Sequence, residues 1–468
     1  MAPPRNYITD SEGNLRMVRR IAAATEENQS VEEVGKKKII PRILVIMAEF
    51  EDQKFAAATT KAVVDSMFNA QDWRQDGATG SVRQYFRDQS MGQYDPQFDI
   101  VGPVKAANNV AYYGKSNSAT SALIPELCTL VNDSVDFTQY DNDGDGYIDM
   151  VFVYFAGFGE NDPPIDALLP ISCNQNSSYL IWPHYSTTSA RISYDGKLVR
   201  DYEVSNELDG YYTTETKTVV AGIGVLVHEF CHGLGLPDLY STQNQYDHKT
   251  WGKWDVMDYG PYNNDMHTPP ALSAYERYFL GWLEPELLVE AQNDTLHYLA
   301  ESNRAFIVTS NNQMPTNTKT GPLYFLENRQ KKGWDIDIPG EGLMLSKIES
   351  WTTNGVNNDR SKQKIDLIEA DGITAVNGTS KDPVWYGKKG DLFPTGAESI
   401  TLFTDGTVTE IKMDDGIITF RYKGGKDPIT PTTLSPVNEQ AKPIKRLING
   451  QIVIEQGGNR YNLLGVRL

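Results

Sequence analysis

Histidine and cysteine are scarce in this chain of 468 residues, which has six of the first and three of the second. Cys128, Cys173 and Cys231 cannot build a disulfide scaffold, and a chain long enough for two or three domains does not need one. Basic runs are nearly missing as well. Lys and Arg number 43 against 62 Asp and Glu, a net charge of −19, which argues against nucleic acid or an anionic membrane as partner. The longest apolar runs, Ile43 to Met47 and Met150 to Phe158, fall far short of the ~20 residues a transmembrane helix needs, so no transmembrane segment is expected. No apolar stretch follows the opening Met1-Ala2-Pro3-Pro4-Arg5, so no signal peptide is read there; the protein is then either cytoplasmic or has lost a leader.

Scarcity makes the placement of histidines informative. His228 and His232 lie four apart within Val-His-Glu-Phe-Cys-His-Gly-Leu-Gly-Leu-Pro-Asp, residues 227–238, which on a helix sets both imidazoles on one face within reach of one metal. Glu229 flanks that face, where a carboxylate can take a proton from a metal-activated water without being a ligand. Val219, Ile223, Val227, Phe230 and Leu234 keep a helical apolar spacing, with Phe230 pointing away from the histidines. Gly233, Gly235 and Pro237 should end the helix, and a left-handed glycine there would turn the chain back. Asp238 is then placed to return as third ligand, giving H-E-x-x-H-x-x-G-x-x-D and a zinc site with a fourth position for water. A rival third ligand is Glu276, on a helix expected over 268–283. Cys231 reads as a small packed residue, and His184, His248, His267 and His297 have no ligand spacing.

This motif, with Trp254-Asp255-Val256-Met257-Asp258-Tyr259 downstream, resembles the metzincin metalloproteases and, within them, the immune inhibitor A-like family of secreted bacterial proteases. Further stretches are similar to the same family: 81–86 (Ser-Val-Arg-Gln-Tyr-Phe), 181–184 (Ile-Trp-Pro-His), 280–282 (Leu-Gly-Trp), 324–330 (Tyr-Phe-Leu-Glu-Asn-Arg-Gln) and 390–394 (Gly-Asp-Leu-Phe-Pro). Ser346-Lys347-Ile348-Glu349 departs from the Trp-His-Ile-Asp expected of the family. The resemblance implies an α/β (α+β) metzincin-like catalytic domain with a zinc-binding active-site helix, followed by a β-rich domain. It implies a zinc metalloendopeptidase, secreted or at the cell surface, with Glu229 as general base. Met257 would floor the site, and Tyr259 would help bind zinc or steady the oxyanion. A monomer acting on protein or peptide substrates is expected. The competing reading, an adhesin or glycan-binding protein on a degenerate protease fold, has to explain an intact His228, Glu229, His232 and Asp238.

A second metal signal is Asp141-Asn142-Asp143-Gly144-Asp145-Gly146-Tyr147-Ile148-Asp149. Carboxylates of Asp141, Asp143, Asp145 and Asp149 with the Tyr147 carbonyl suit a hard cation, so a structural calcium is expected. Phe152 replaces the terminal glutamate of an EF-hand and a strand pattern follows, so the loop should be stapled to a strand. The organisation read from these patterns is a leader or propeptide remnant at 1–38, a zinc peptidase domain at 39–290, a β-rich domain at 291–425, and a linker with a short tail at 426–468.

Overall fold

A computed structural model describes residues 39–426, less 245–246, 353, 374–382 and 404–405, together with five short strands nearer the ends. Two of those, Tyr7–Thr9 and Leu15–Met17, pair antiparallel within the stretch expected as a leader; the rest of 1–38 and the linker at 427–443 lie outside the described residues. Contacts divide the chain into Met1–Gly424 and Gly425–Leu468. The smaller unit holds an antiparallel sheet of Ile444–Ile448, Gln451–Gln456 and Asn459–Tyr461.

The larger unit is mixed α/β. Its first sheet takes β1 (Arg42–Glu49), β2 (Gln97–Lys105), β3 (Val151–Phe158), β4 (His184–Thr187) and β5 (Asp201–Leu208) in the order β2-β1-β3-β5-β4. All neighbours are parallel except the edge strand β4, which runs antiparallel to β5. Alternation along β1 feeds two cores. Ile43, Val45 and Met47 pack with Val64 and Phe68 of α1 (Lys61–Asn69), Phe86 of α2 (Val82–Gln89), and Val227 and Phe230 of α4 (Gly224–Gly233). Leu44, Ile46 and Ala48 pack on the other side with Leu123 and Leu127 of α3 (Asn117–Val131). Covered on both faces, β3 is buried at every position, which is why it reads as an unbroken apolar run.

Local chemistry sets the helix boundaries. α1 starts at Lys61, where the Thr60 hydroxyl caps the Val63 N–H. The helix expected over 268–283 contracts to α5 (Ala274–Phe279). Pro269 and Pro270 have no N–H, and those of Ala271 and Leu272 are taken by Asp335 and Gln89, so the chain stays extended until Ser273 caps it.

Two further sheets follow. The second runs β6 (Glu286–Leu287), β8 (Phe306–Thr309), β9 (Leu323–Arg329), β10 (Gly342–Ile348), β11 (Ile365–Leu367), and the third runs β7 (Gln292–Leu296), β14 (Ile417–Tyr422), β13 (Thr407–Asp414), β12 (Ile400–Thr401). Leu326, Leu343 and Leu345 face the third sheet through Val408, Ile418 and Phe420. Phe325, Met344 and Ile348, on the opposite face, join the core that reaches α4. The β-rich part is thus packed into the same interior as the motif helix.

Candidate active site

α4 is held from both ends. Gly224 starts it where a Cβ would lie 1.9 Å from the Pro261 carbonyl oxygen, so this close approach requires glycine. At the far end Gly235 takes φ +99°, and the Leu236 N–H returns to the Cys231 carbonyl, the left-handed stop that the motif's glycines suggested. On the back face Phe230 meets Phe86 at 4.7 Å and Phe98 at 5.7 Å between ring centroids, burial worth roughly 1.5–3 kcal/mol. The histidines face the opposite way.

Each imidazole is pinned through its Nδ1. His228 Nδ1 lies 2.7 Å from the Val256 carbonyl oxygen, and His232 Nδ1 lies 2.8 Å from that of Leu236. A carbonyl only accepts, so both Nδ1 atoms carry protons and both Nε2 atoms are turned to one point. The left-handed turn delivers Asp238 to that point, with Oδ1 3.3 Å from His228 Nε2 and 3.1 Å from His232 Nε2. Ligating atoms of His228, Glu229 and His232 also lie within 4.8 Å of one another. Asp238 Oδ1 is buried and receives no hydrogen bond. The cluster therefore calls for a cation. A proton is one: burial lowers the pKa of His232, but the charge and hydrogen bond of Asp238, then Glu229, raise it to about 9. A metal ion is the other, and it would displace that proton.

Glu229 Oε2 accepts the Tyr185 N–H of edge strand β4 at 2.8 Å. Behind it stands Glu203 of β5, fully buried, its carboxyl pKa raised well above the usual range by burial and by the Glu229 charge. Tyr240, which the sequence did not single out, stacks over His228 at 6.4 Å and is hydrogen-bonded to Asp238. Its place two residues after the expected third ligand was the signal available. Tyr259 packs its ring 4.8 Å from Tyr386 and 6.1 Å from Tyr262.

The turn containing Met257 braces His228 and the loop of Asp238. Met257 is fully buried, its N–H goes to Asp255 Oδ1 at 2.8 Å, and its carbonyl accepts the N–H of Leu239, next to Asp238. The second sheet and its loops fasten this turn. Asn357 donates to the Leu239 carbonyl at 2.9 Å, Trp251 to that of Ile365 at 2.8 Å, and Trp254 to Asp391 at 3.0 Å. Lys249 pairs with Asp391 at 2.7 Å, both side chains fully buried. Arg329, held by Asp335 at 2.8 Å, also reaches the Trp254 carbonyl at 3.4 Å. Two stretches that carried only a resemblance in the sequence, 324–330 and 390–394, thus supply braces for the turn.

The remaining candidates fall elsewhere. Glu276 turns into its own helix cap, accepting the Ser273 N–H at 2.8 Å and hydroxyl at 2.9 Å. His184 holds the Trp182 carbonyl and the Tyr202 hydroxyl. Cys231 is fully buried. In the acidic loop, Asp141, Asp143 and Asp149 bring carboxylate oxygens within 4.8 Å, while Asp145 accepts the Tyr147 N–H at 2.9 Å. Asp141 Oδ1 has no partner, but its Oδ2 is met by Lys197 Nζ at 2.6 Å. Burial first, then Asp143 and Asp141, push the Asp149 carboxyl up to about 8 against two hydrogen bonds from Asn142. The loop runs into β3, a strand rather than a helix.

Over 290 residues, 53% of the chain, it is 23% identical to the Pre-pro-metalloprotease PrtV of Vibrio cholerae serotype O1. Over 234 residues, 42% of the chain, it is 24% identical to Immune inhibitor A of Bacillus thuringiensis subsp. alesti. The chain spans about a third of the length of these relatives, 30% and 31% respectively. No helix among the described residues is long and apolar enough to cross a membrane. Residues 28–282 match the family described as immune inhibitor A peptidase M6, catalytic domain, and the chain belongs to that family.

Proposed function

We propose that this chain is a zinc-dependent endopeptidase, secreted or at the cell surface, with His228, His232 and Asp238 as the zinc ligands of a metzincin-like site. The observation that carries the reading is the meeting of two Nε2 atoms and Asp238 Oδ1 at 3.1 and 3.3 Å, with both Nδ1 protons already committed to carbonyls. A tetrahedral zinc with bonds of ~2.0 Å to nitrogen and oxygen sets its ligand atoms about 3.3 Å apart, so this donor set fits. Zinc bound there would acidify a water and polarise the scissile carbonyl.

Glu229, fixed at Oε2 by the Tyr185 N–H, uses Oε1 to take the water's proton and then gives it to the leaving amine nitrogen. Tyr240 steadies the Asp238 carboxylate, and Tyr259 is the phenol proposed to steady the oxyanion. The acidic loop of Asp141, Asp143, Asp145, Tyr147 and Asp149 is proposed to hold a structural calcium, which would take up the unpartnered Asp141 Oδ1, next to the Oδ2 that Lys197 holds.

Metal analysis of the purified chain, beside hydrolysis of a peptide mixture with and without a zinc chelator, tests the reading. One zinc per chain and cleavage lost on chelation and restored by zinc are expected. Chelator-insensitive cleavage, or stoichiometric zinc with no hydrolysis of any peptide, would overturn it.

A further inference from the structure

Asp255 and Glu276 are carboxylates shut away from water, 0% and 2% exposed. Asp255 opens the turn to Met257, and Glu276 lies in the first turn of α5. One oxygen of each is well supplied. Asp255 Oδ1 accepts the Met257 N–H at 2.8 Å, and Glu276 Oε2 accepts the Ser273 N–H at 2.8 Å and hydroxyl at 2.9 Å. The other oxygens, Asp255 Oδ2 and Glu276 Oε1, are buried and receive no donor from a protein group that carries one. The two side chains are nevertheless hydrogen-bonded to each other. Two ionised carboxylates cannot make that bond, since neither has a proton to give.

We propose that Asp255 and Glu276 hold a single proton between them, and that this acid pair is the positioning element of the turn whose Val256 carbonyl orients His228. The proton resides on Asp255 Oδ2 and is donated to Glu276 Oε1, because Glu276 already has two donors that favour its charged form and Asp255 has one.

Among the described residues no cation reaches either free oxygen. From β9 come Glu327 and Arg329, and Arg329 is engaged by Asp335. From α5 comes Arg277, directed to the Leu272 carbonyl, Gln89 and Asn303. Asp258 of the same turn, Tyr85 of α2 and Cys231 of α4 add either negative charge or neutral groups. Burial, then the Glu276 charge, holds Asp255 well above the usual carboxylate range. An acid raised in the folded state contributes stability that is complete below its unfolded pKa and is lost as pH climbs through the folded value. Alkali should therefore ionise the pair and loosen the turn.

The role at His228 deepens the zinc reading, whereas the shared proton belongs to the metal-free chain, so the test uses metal-free protein throughout. Infrared spectra at about pH 8 should show protonated-carboxyl absorption in the parent, one component of which is lost in Asp255→Asn and in Glu276→Gln and is kept in Glu203→Gln. Between about pH 7 and pH 10 the parent's melting temperature should fall more steeply than that of Asp255→Asn. Imidazole nitrogen shifts should keep His228 in its Nδ1–H form in Asp255→Asn and lose that form in Asp255→Ala, or in the parent above its alkaline transition if the alanine variant does not fold. Acid absorption unchanged in both Asp255→Asn and Glu276→Gln would overturn the shared proton. An Nδ1–H form that ignores both Asp255→Ala and alkali would overturn the positioning role.

Discussion

Two candidate metal clusters among the described residues, one at the motif helix and one at residues 141–149, differ in what their donors already possess. At α4 the protons of both imidazoles are spent on carbonyls, and Asp238 Oδ1 has nothing but two nitrogen lone pairs before it. In the loop, Asp143 and Asp145 accept N–H groups of the loop itself, Asn142 donates to Asp149, and Lys197 sits on Asp141. The first arrangement is left unsatisfied without a cation, and the second is largely satisfied by the chain. A buried, unpaired acceptor carries the full desolvation cost of that group, so the need for metal should be much stronger at the helix.

Perturbations at both clusters sharpen or break that contrast. The largest effect on rate is expected from Glu229→Ala, which should retain zinc while peptidase activity falls by roughly 10²- to 10⁴-fold, as loss of a proton-transfer group does. Activity within tenfold of the parent would remove Glu229 as base.

Next comes Asp238→Ala, which should weaken zinc binding by more than the roughly 10- to 100-fold that loss of an outer partner costs. Glu276→Gln, measured alongside by metal titration, should keep stoichiometric zinc because its carboxylate is engaged in the α5 cap. The opposite pattern would hand the ligand role to Glu276. Tyr240→Phe removes only the phenol beside Asp238, and about a tenfold loss of zinc affinity is expected, read by competition with a chelating dye. Affinity equal to the parent's would leave Tyr240 as packing over His228.

The last effect, on stability and not on the helix cluster, belongs to the loop. Calcium at about 100 times its dissociation constant should stabilise the chain by ~2.7 kcal/mol, seen as a higher melting temperature. Lys197→Ala should tighten calcium binding by removing a competing cation, and Asp143→Ala with Asp145→Ala should abolish the shift. A parent protein whose melting ignores calcium would make the loop an acidic turn closed by lysine.

The sequence by itself determined the local parts. Helical spacing put His228 and His232 on one face, Gly235 announced the left-handed stop, and the run around Val151 marked a strand. Each of these depends on the period or conformational preference of neighbouring residues, which a linear chain displays directly. Tertiary structure alone decided how that helix is made into a site. The tautomer of His228 is set by Val256, 28 residues away, and the loop after Asp238 is tied by Asn357, 118 residues from Leu239. The same holds for the long helix expected near Glu276, which was cut short by Asp335 and Gln89 taking the N–H groups it needed. Such contacts leave no periodic trace, because a single side chain meeting one backbone group across the core is specified by packing and not by spacing.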